Sequence, residues 1–474
     1  MSPYQDLTPF ERIAYRKKRE ICEKLKALQK EFDSWLDRSQ AGGEFEKHHT
    51  QLRAINAHLI KWNKRVRSIL RANLSSDAEA FLNSIHNAER LMLSEHRIWE
   101  YFRSKFIQRN EKRFRTYLRV ADEFAFACYR PIRDSVFSNY LDIKRKEPPL
   151  VFFNGGTSPF SLSRGKAFDP EPVSGEALNG KEIEIINKLP IPLVGIPWNQ
   201  IEHFPEAVVI GHELGHIIED DFALTERLNV LLGEAISDKE TERYEAWKSW
   251  LGEVFADIYG CLATGPAFAG ALIDFLAKDY GEISSEKKTE NEWGAYPTVY
   301  LRGKLVLQTL KSMGFQPFTL EYEKLWDGFR SQMPEEYLRD VPVLVSKLLD
   351  GHLFKTAGAE TENTSLRQIF CFGTEHQKQV RNTLDQLKNG LRLVSLDARV
   401  LFAAIRMAYE YDPKAFIRDS YSDKMLAHFE SEVIERGPRA RELILDRQQI
   451  SQKLPGYERS ADEMIDDLLG IQFT

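Results

Sequence analysis

The chain has 474 residues, 42% hydrophobic and 11% aromatic, which supports a large core and two or three domains and excludes wholesale disorder. The net charge of −6 hides an asymmetry: residues 1–150 hold 30 Lys and Arg against 20 Asp and Glu, and the remainder holds 35 against 51. Four widely spaced cysteines, Cys22, Cys128, Cys261 and Cys371, exclude a disulfide framework and a cysteine-ligated zinc ribbon and predict a reducing compartment. The first 20 residues contain no apolar signal core, so the expected location is cytoplasmic.

Residues 9–38 predict a helix, with Ile21, Leu25, Leu28, Phe32 and Trp35 at alternating spacings of four and three. After a turn at Ala41-Gly42-Gly43, Leu52, Ile55, Leu59, Trp62, Val66 and Ile69 repeat the same spacing, giving an antiparallel hairpin with a coiled-coil-like seam. A third helix carries Phe81, Ile85, Met92, Trp99 and Phe106. Residues 1–147 therefore predict a helical arm or bundle able to hold a protein partner. Its end, Tyr101 to Arg119, bears seven Lys and Arg against one Glu among aromatics. A nucleic acid is one reading of that stripe, and a solvated helix face is the more ordinary one.

Pro148-Pro149 ends the arm, and Leu150–Phe153, Ile183–Ile186 and Leu193–Ile196 predict short strands around a loop rich in Gly, Ser and Pro. Next comes Ala207 to Asp220, AVVIGHELGHIIED. Within it His212-Glu213-Leu214-Gly215-His216 is an H-E-x-x-H motif, whose histidines lie four apart on one helix face and present two imidazoles to one metal ion. Gly215 is small enough for another element or the substrate to approach the helix closely. A charged helix is expected over Leu224 to Trp250, and then WLGEVFADIYG offers Glu253 and Asp257, again four apart. One carboxylate completes a three-ligand zinc site, and the other sits behind it against a histidine ring N–H. The alternative for the two histidines is burial against backbone carbonyls. The apolar run Ile258 to Leu276 is broken by Gly260, Gly265, Pro266 and Gly270 and predicts two buried helices rather than a membrane span.

H-E-x-x-H followed by E-x-x-x-D resembles the gluzincin group of zinc metallopeptidases. That resemblance implies zinc held by His212, His216 and Glu253, Glu213 as general base and Asp257 orienting a ligand histidine. It also implies a strand edge above the metal that receives the substrate peptide, here Pro192, Leu193, Val194, Gly195 and Ile196. One gluzincin subgroup, the membrane peptidases that process prenylated proteins and their bacterial heat-shock relatives, carries His-Pro and, five residues on, Arg after its second motif. Here the residues are Tyr296-Pro297 and Arg302. Tyr296 and Arg302 are accordingly the candidates for stabilising the oxyanion.

The expectation is an α+β, mostly α protein: the arm over 1–147, a zincin-like catalytic domain over 148–312 with a small sheet, and a helical region over 313–474 packed on it. The expected activity is zinc-dependent endopeptidase cleavage of a protein or peptide, without membrane insertion. A zinc-containing scaffold with an inactive site and a zinc hydrolase acting on an ester or epoxide are the alternatives.

Overall fold

The structure, a computed structural model, describes residues 8–72, 78–137, 146–164, 191–201, 203–277, 294–328, 335–355 and 363–442. The expected strand Ile183–Ile186 lies outside them. The fold is α+β and mostly α, with one small three-stranded sheet and a two-stranded ribbon. No described helix is long and apolar enough to cross a membrane. The chain divides into two compact units.

The first unit contains α1 (Pro9–Arg38), α2 (His49–Ala72) and α3 (Ala78–Phe106). A reciprocal box between Thr8 and Glu11 caps α1, satisfying amide donors that the first turn leaves open. The predicted seam is its core except at its last position: Ile21, Leu25, Leu28, Phe32 and Trp35 are buried against Leu52, Ile55, Leu59, Trp62 and Val66, while Ile69 is half-buried and Leu70 is buried instead. Trp35 stacks on Phe45 and meets Trp99 edge-on. The first stretch of this unit ends at Ile107, and the unit also takes in 164–191 and 445–474.

The second unit begins at Gln108 and includes α4 (Lys112–Phe137), a helix that the sequence reading groups with the arm. The reason is packing. Tyr117, Leu118, Ala121, Phe124 and Ala125 of α4 are buried in the same core as the sheet and the metal-motif helix. The basic stripe at 101–119 is thus interrupted at 107–111, and Arg109 turns inward to pair with buried Asp122 at 2.7 Å.

The sheet contains β1 (Leu150–Asn154), β2 (Phe160–Leu162) and β3 (Leu193–Pro197) in the order β1-β3-β2. β3 pairs parallel with β1 and antiparallel with β2. Both edges of β3 are occupied and all five of its residues are buried, which overturns Pro192–Ile196 as an open substrate edge. The outer edge of β1 is closed by side chains. Phe153 exchanges hydrogen bonds with Gln108 at 2.8 Å, Arg109 donates to the Val151 carbonyl, and the Val151 N–H donates to Asp122. The outer edge of β2 pairs with no strand among the described residues.

A 3-10 turn, Phe204–Val209, leads into α5 (Ile210–Asp221), which carries the first motif. The predicted stretch 224–250 is two elements, α6 (Thr225–Ala235) and the start of α7 (Glu242–Thr264). Thr241 caps α7 by accepting the Tyr244 amide. α7 runs through the second motif until Gly265, at φ +60°, turns the chain into α8 (Pro266–Leu276). Beyond it lie α9 (Val299–Ser312), α10 (Gln316–Asp327), α11 (Glu335–Asp350), the ribbon β4 (His352–Lys355) and β5 (Asn363–Ser365), α12 (Thr374–Lys388) and α13 (Ala398–Tyr411). α13 packs on the 3-10 turn that feeds α5, so this region braces the metal-motif helix from behind.

The closest approach is the crossing of α5 and α7. A Cβ at Gly215 would stand 2.6 Å from Ala256 Cα, and one at Gly211 would stand 3.2 Å from Ala263 Cβ. Small residues one turn apart on both helices let the backbones meet and place Glu253 and Asp257 beside the two histidines. Gly215→Ala adds helix propensity of about 1 kcal/mol but forces the backbones apart at a cost of about 1–3 kcal/mol. The expected result is a lower melting temperature. An unchanged melting curve would show that the crossing tolerates a methyl group.

Candidate metal centre

His212 and His216 project from consecutive turns of α5, and their Nε2 atoms stand 3.3 Å apart. Glu253 comes from α7, with Oε2 3.2 Å from His212 Nε2 and Oε1 3.4 Å from His216 Nε2. Two donors each about 2.0–2.1 Å from a tetrahedral zinc are themselves about 3.3 Å apart, so these separations suit one face of such a site. Among the described residues, His212, His216 and Glu253 form the one grouping of three His, Cys, Asp or Glu whose donor atoms come this close.

The hydrogen-bonding chemistry also favours a cation. His212 Nδ1 lies 2.8 Å from Asp257 Oδ1, while Nε2 turns toward the other donors. His212 Nε2 faces His216 Nε2 and the Glu253 carboxylate. Glu253 Oε2 is buried and makes no hydrogen bond. Burial alone would depress the His212 imidazole, but the carboxylates of Asp257 and Glu253 outweigh it and lift its pKa to about 10. Burial likewise opposes ionisation of Glu253, yet the two imidazoles hold its carboxyl far below the usual carboxylate range. The pocket draws positive charge, and the residues present fit zinc: two imidazoles, one carboxylate and no thiolate.

Behind the donors stands Asp257, with a side chain only 1% exposed. Arg302, from the first turn of α9, grips it in two prongs: Nε donates to Oδ2 at 2.8 Å and Nη2 to Oδ1 at 2.7 Å. Burial works against the Asp257 charge, and Arg302 with His212 overcomes it, keeping the carboxyl below its ordinary range. The expectation of Arg302 as an oxyanion donor is therefore corrected. Its guanidinium is buried and committed to Asp257, with Nη2 3.9 Å from Glu253, so it positions the ligand set rather than facing substrate. Thr298 caps α9 by accepting the Leu301 amide, which fixes the turn from which Arg302 projects.

Tyr296 lies on the exposed approach to α9, with the Arg302 guanidinium 5.6 Å from its ring centroid. Partial burial, then the Glu253 carboxylate, push its phenol pKa up. Glu213 neighbours His212 in sequence and is largely buried. Side-chain exposure rises from Asp257 at 1% through His212 at 12% to His216 at 22%, so the centre opens on the His216 side.

The structure thus brings together His212, His216, Glu253, Asp257, Arg302 and Tyr296, and it leaves Pro192–Ile196 inside the sheet. The close approach expected at Gly215 is made by α7, but two features escape the motif reading: Ala256 as the partner in that crossing and the β2 edge, since α5 packs against β2 as well as β3. Glycine and alanine at four-residue steps, 211 and 215 against 252, 256 and 260, are the signal in the sequence for the first. Nothing in the three residues of β2 signals the second. No protein family, no curated protein and no solved structure matches this chain, so the geometry carries the functional argument.

Arg302→Met leaves the Asp257 charge buried without its strongest partner and is expected to cost about 3–5 kcal/mol of stability in urea unfolding. Adding Asp257→Leu should return much of that loss while lowering zinc affinity by about 10–100-fold. Full zinc affinity in the double variant would contradict a positioning role for the pair.

Proposed function

We propose that this chain is a zinc-dependent endopeptidase of the gluzincin type, with His212, His216 and Glu253 as metal ligands. The observation that carries the reading is the donor triangle with Asp257 and Arg302 packed behind it. A bound zinc ion would supply Lewis-acid activation of water and of the scissile carbonyl. The remaining work falls to side chains of this chain. Glu213 accepts a proton from the attacking water and returns it to the leaving amine. Tyr296, half exposed beside the centre, donates its hydroxyl to the developing oxyanion. Asp257, braced by Arg302, holds His212 in the Nδ1–H tautomer with Nε2 directed at the ligand position.

Substrate recognition by strand addition passes from β3 to β2. An extended peptide would lie along the outer edge of Phe160–Leu162, the sheet edge that packs beside α5, exchanging main-chain hydrogen bonds there. The substrate class is a protein or peptide with an extended segment. A catalytic zinc site keeps a position open for water, whereas a structural site closes it with a fourth protein ligand. Among the described residues no fourth His, Cys, Asp or Glu joins this grouping.

The test is metal content and proteome-wide cleavage profiling of wild type and Glu213→Gln. About one zinc in each protein, with new protein termini made only by the wild type, is the expected outcome. The loss in turnover should be on the order of a hundredfold or more. Turnover retained in Glu213→Gln would remove Glu213 as the base. Zinc in both proteins without cleavage by either would favour a zinc-containing scaffold.

A further inference from the structure

The feature that the metal centre does not absorb lies in the first unit, on α2. This helix contains six Lys and Arg and no Asp or Glu. Lys61, Lys64, Arg65, Ser68 and Arg71 follow one another at steps of three and four, or one within the same turn, and so share one helix face. Lys64, Arg65, Ser68 and Arg71 are exposed and Lys61 is half-buried, so this is the outer face. At 1.5 Å per residue the stripe is about 15 Å long. The inward residues Trp62, Val66 and Leu70 are buried in the bundle.

The hairpin places α1 antiparallel to α2. Asn63 Nδ2 donates to the Leu25 carbonyl at 3.0 Å, which sets the register between the antiparallel helices. It sets the N-terminal half of α1 alongside the C-terminal half of α2. Acidic neighbours on α1 temper its own charge, as Arg19 pairs with Glu23 at 3.3 Å.

We propose that this face of α2 binds the phosphate backbone of a nucleic acid without reading its sequence. Cations repeated once per helical turn suit a regular array of phosphates, and binding gains from release of the counterions condensed on that array. A bilayer surface fits less well, because a helix lying on lipid needs apolar residues flanking its cations. Here Trp62, Val66 and Leu70 are committed to the core. The site is separate in sequence from the metal-binding motifs, so it stands whether or not the chain is a peptidase.

The experiment is fluorescence anisotropy of the full chain with labelled DNA and RNA duplexes of about 20 base pairs, across roughly 50–300 mM salt. Phosphatidylserine vesicles and polyglutamate serve as the competing surfaces. The expected result is duplex binding whose logarithm falls linearly with log salt. In Lys64→Gln/Arg65→Gln/Arg71→Gln the slope should become shallower by about one per charge removed, with affinity at least about tenfold weaker at low salt. Lys378→Gln, on an exposed face of the second unit, should bind as wild type. Circular dichroism checks the fold; if the triple variant unfolds, Arg71→Gln alone should still flatten the slope by about one. Absence of duplex binding at low salt, binding unchanged by the substitutions, or tighter binding to vesicles or polyglutamate would each overturn the proposal.

Discussion

The candidate metal centre depends on two helices meeting backbone to backbone. Gly211 and Gly215 on α5 face Ala256, Gly260 and Ala263 on α7, and this contact lets carboxylates of one helix reach the histidines of the other. The donors on α5 sit beside its contact face and those on α7 beside theirs, so axial separation of the helices sets the distances in the donor triangle. A methyl group at the crossing acts on both at once. The surrounding core, from Phe124 of α4 through Trp247 and Tyr259 of α7 to Phe402 of α13, holds the pair in that register.

Charge is arranged in a buried sequence behind the donors: guanidinium, carboxylate, imidazole. Asp257 is nearly inaccessible, and Arg302 with His212 holds its carboxyl below the ordinary range against the effect of burial. A lone carboxylate at that depth would take up a proton, and a protonated Asp257 would no longer fix the His212 tautomer. Arg302 therefore contributes to the centre while pointing away from its open side. The same positive charge lies under the Tyr296 ring, which ties the half-exposed tyrosine to the buried relay.

The sequence made the helices and the donors readable because both rest on local periodicity. The seam of α1 and α2 is a repeat of large apolar residues, and α1 spans the predicted 9–38. His212, His216, Glu253 and Asp257 announce themselves by four-residue spacing. Arg302 was visible as a position but not as a partner: its spacing to Tyr296 is sequential, whereas its pairing with Asp257 crosses 45 residues. The place of β3 was illegible for a similar reason. Leu193–Pro197 reads as an apolar strand in any register, and its central position follows from β2, whose three residues carry too little pattern to announce a strand. Placement of α4 with the second unit likewise depends on where Tyr117 and Phe124 find partners, which helical periodicity leaves open.

The central claim is that two imidazoles and one carboxylate of this chain hold a zinc ion with a position left for water. Zinc K-edge X-ray absorption on the purified, zinc-loaded protein addresses it most directly. The account predicts a first shell of nitrogen and oxygen at about 2.0–2.1 Å, with outer-shell scattering from two imidazole rings falling to one in His216→Ala. A sulfur shell at about 2.3 Å, or a spectrum unchanged by His216→Ala, would contradict it.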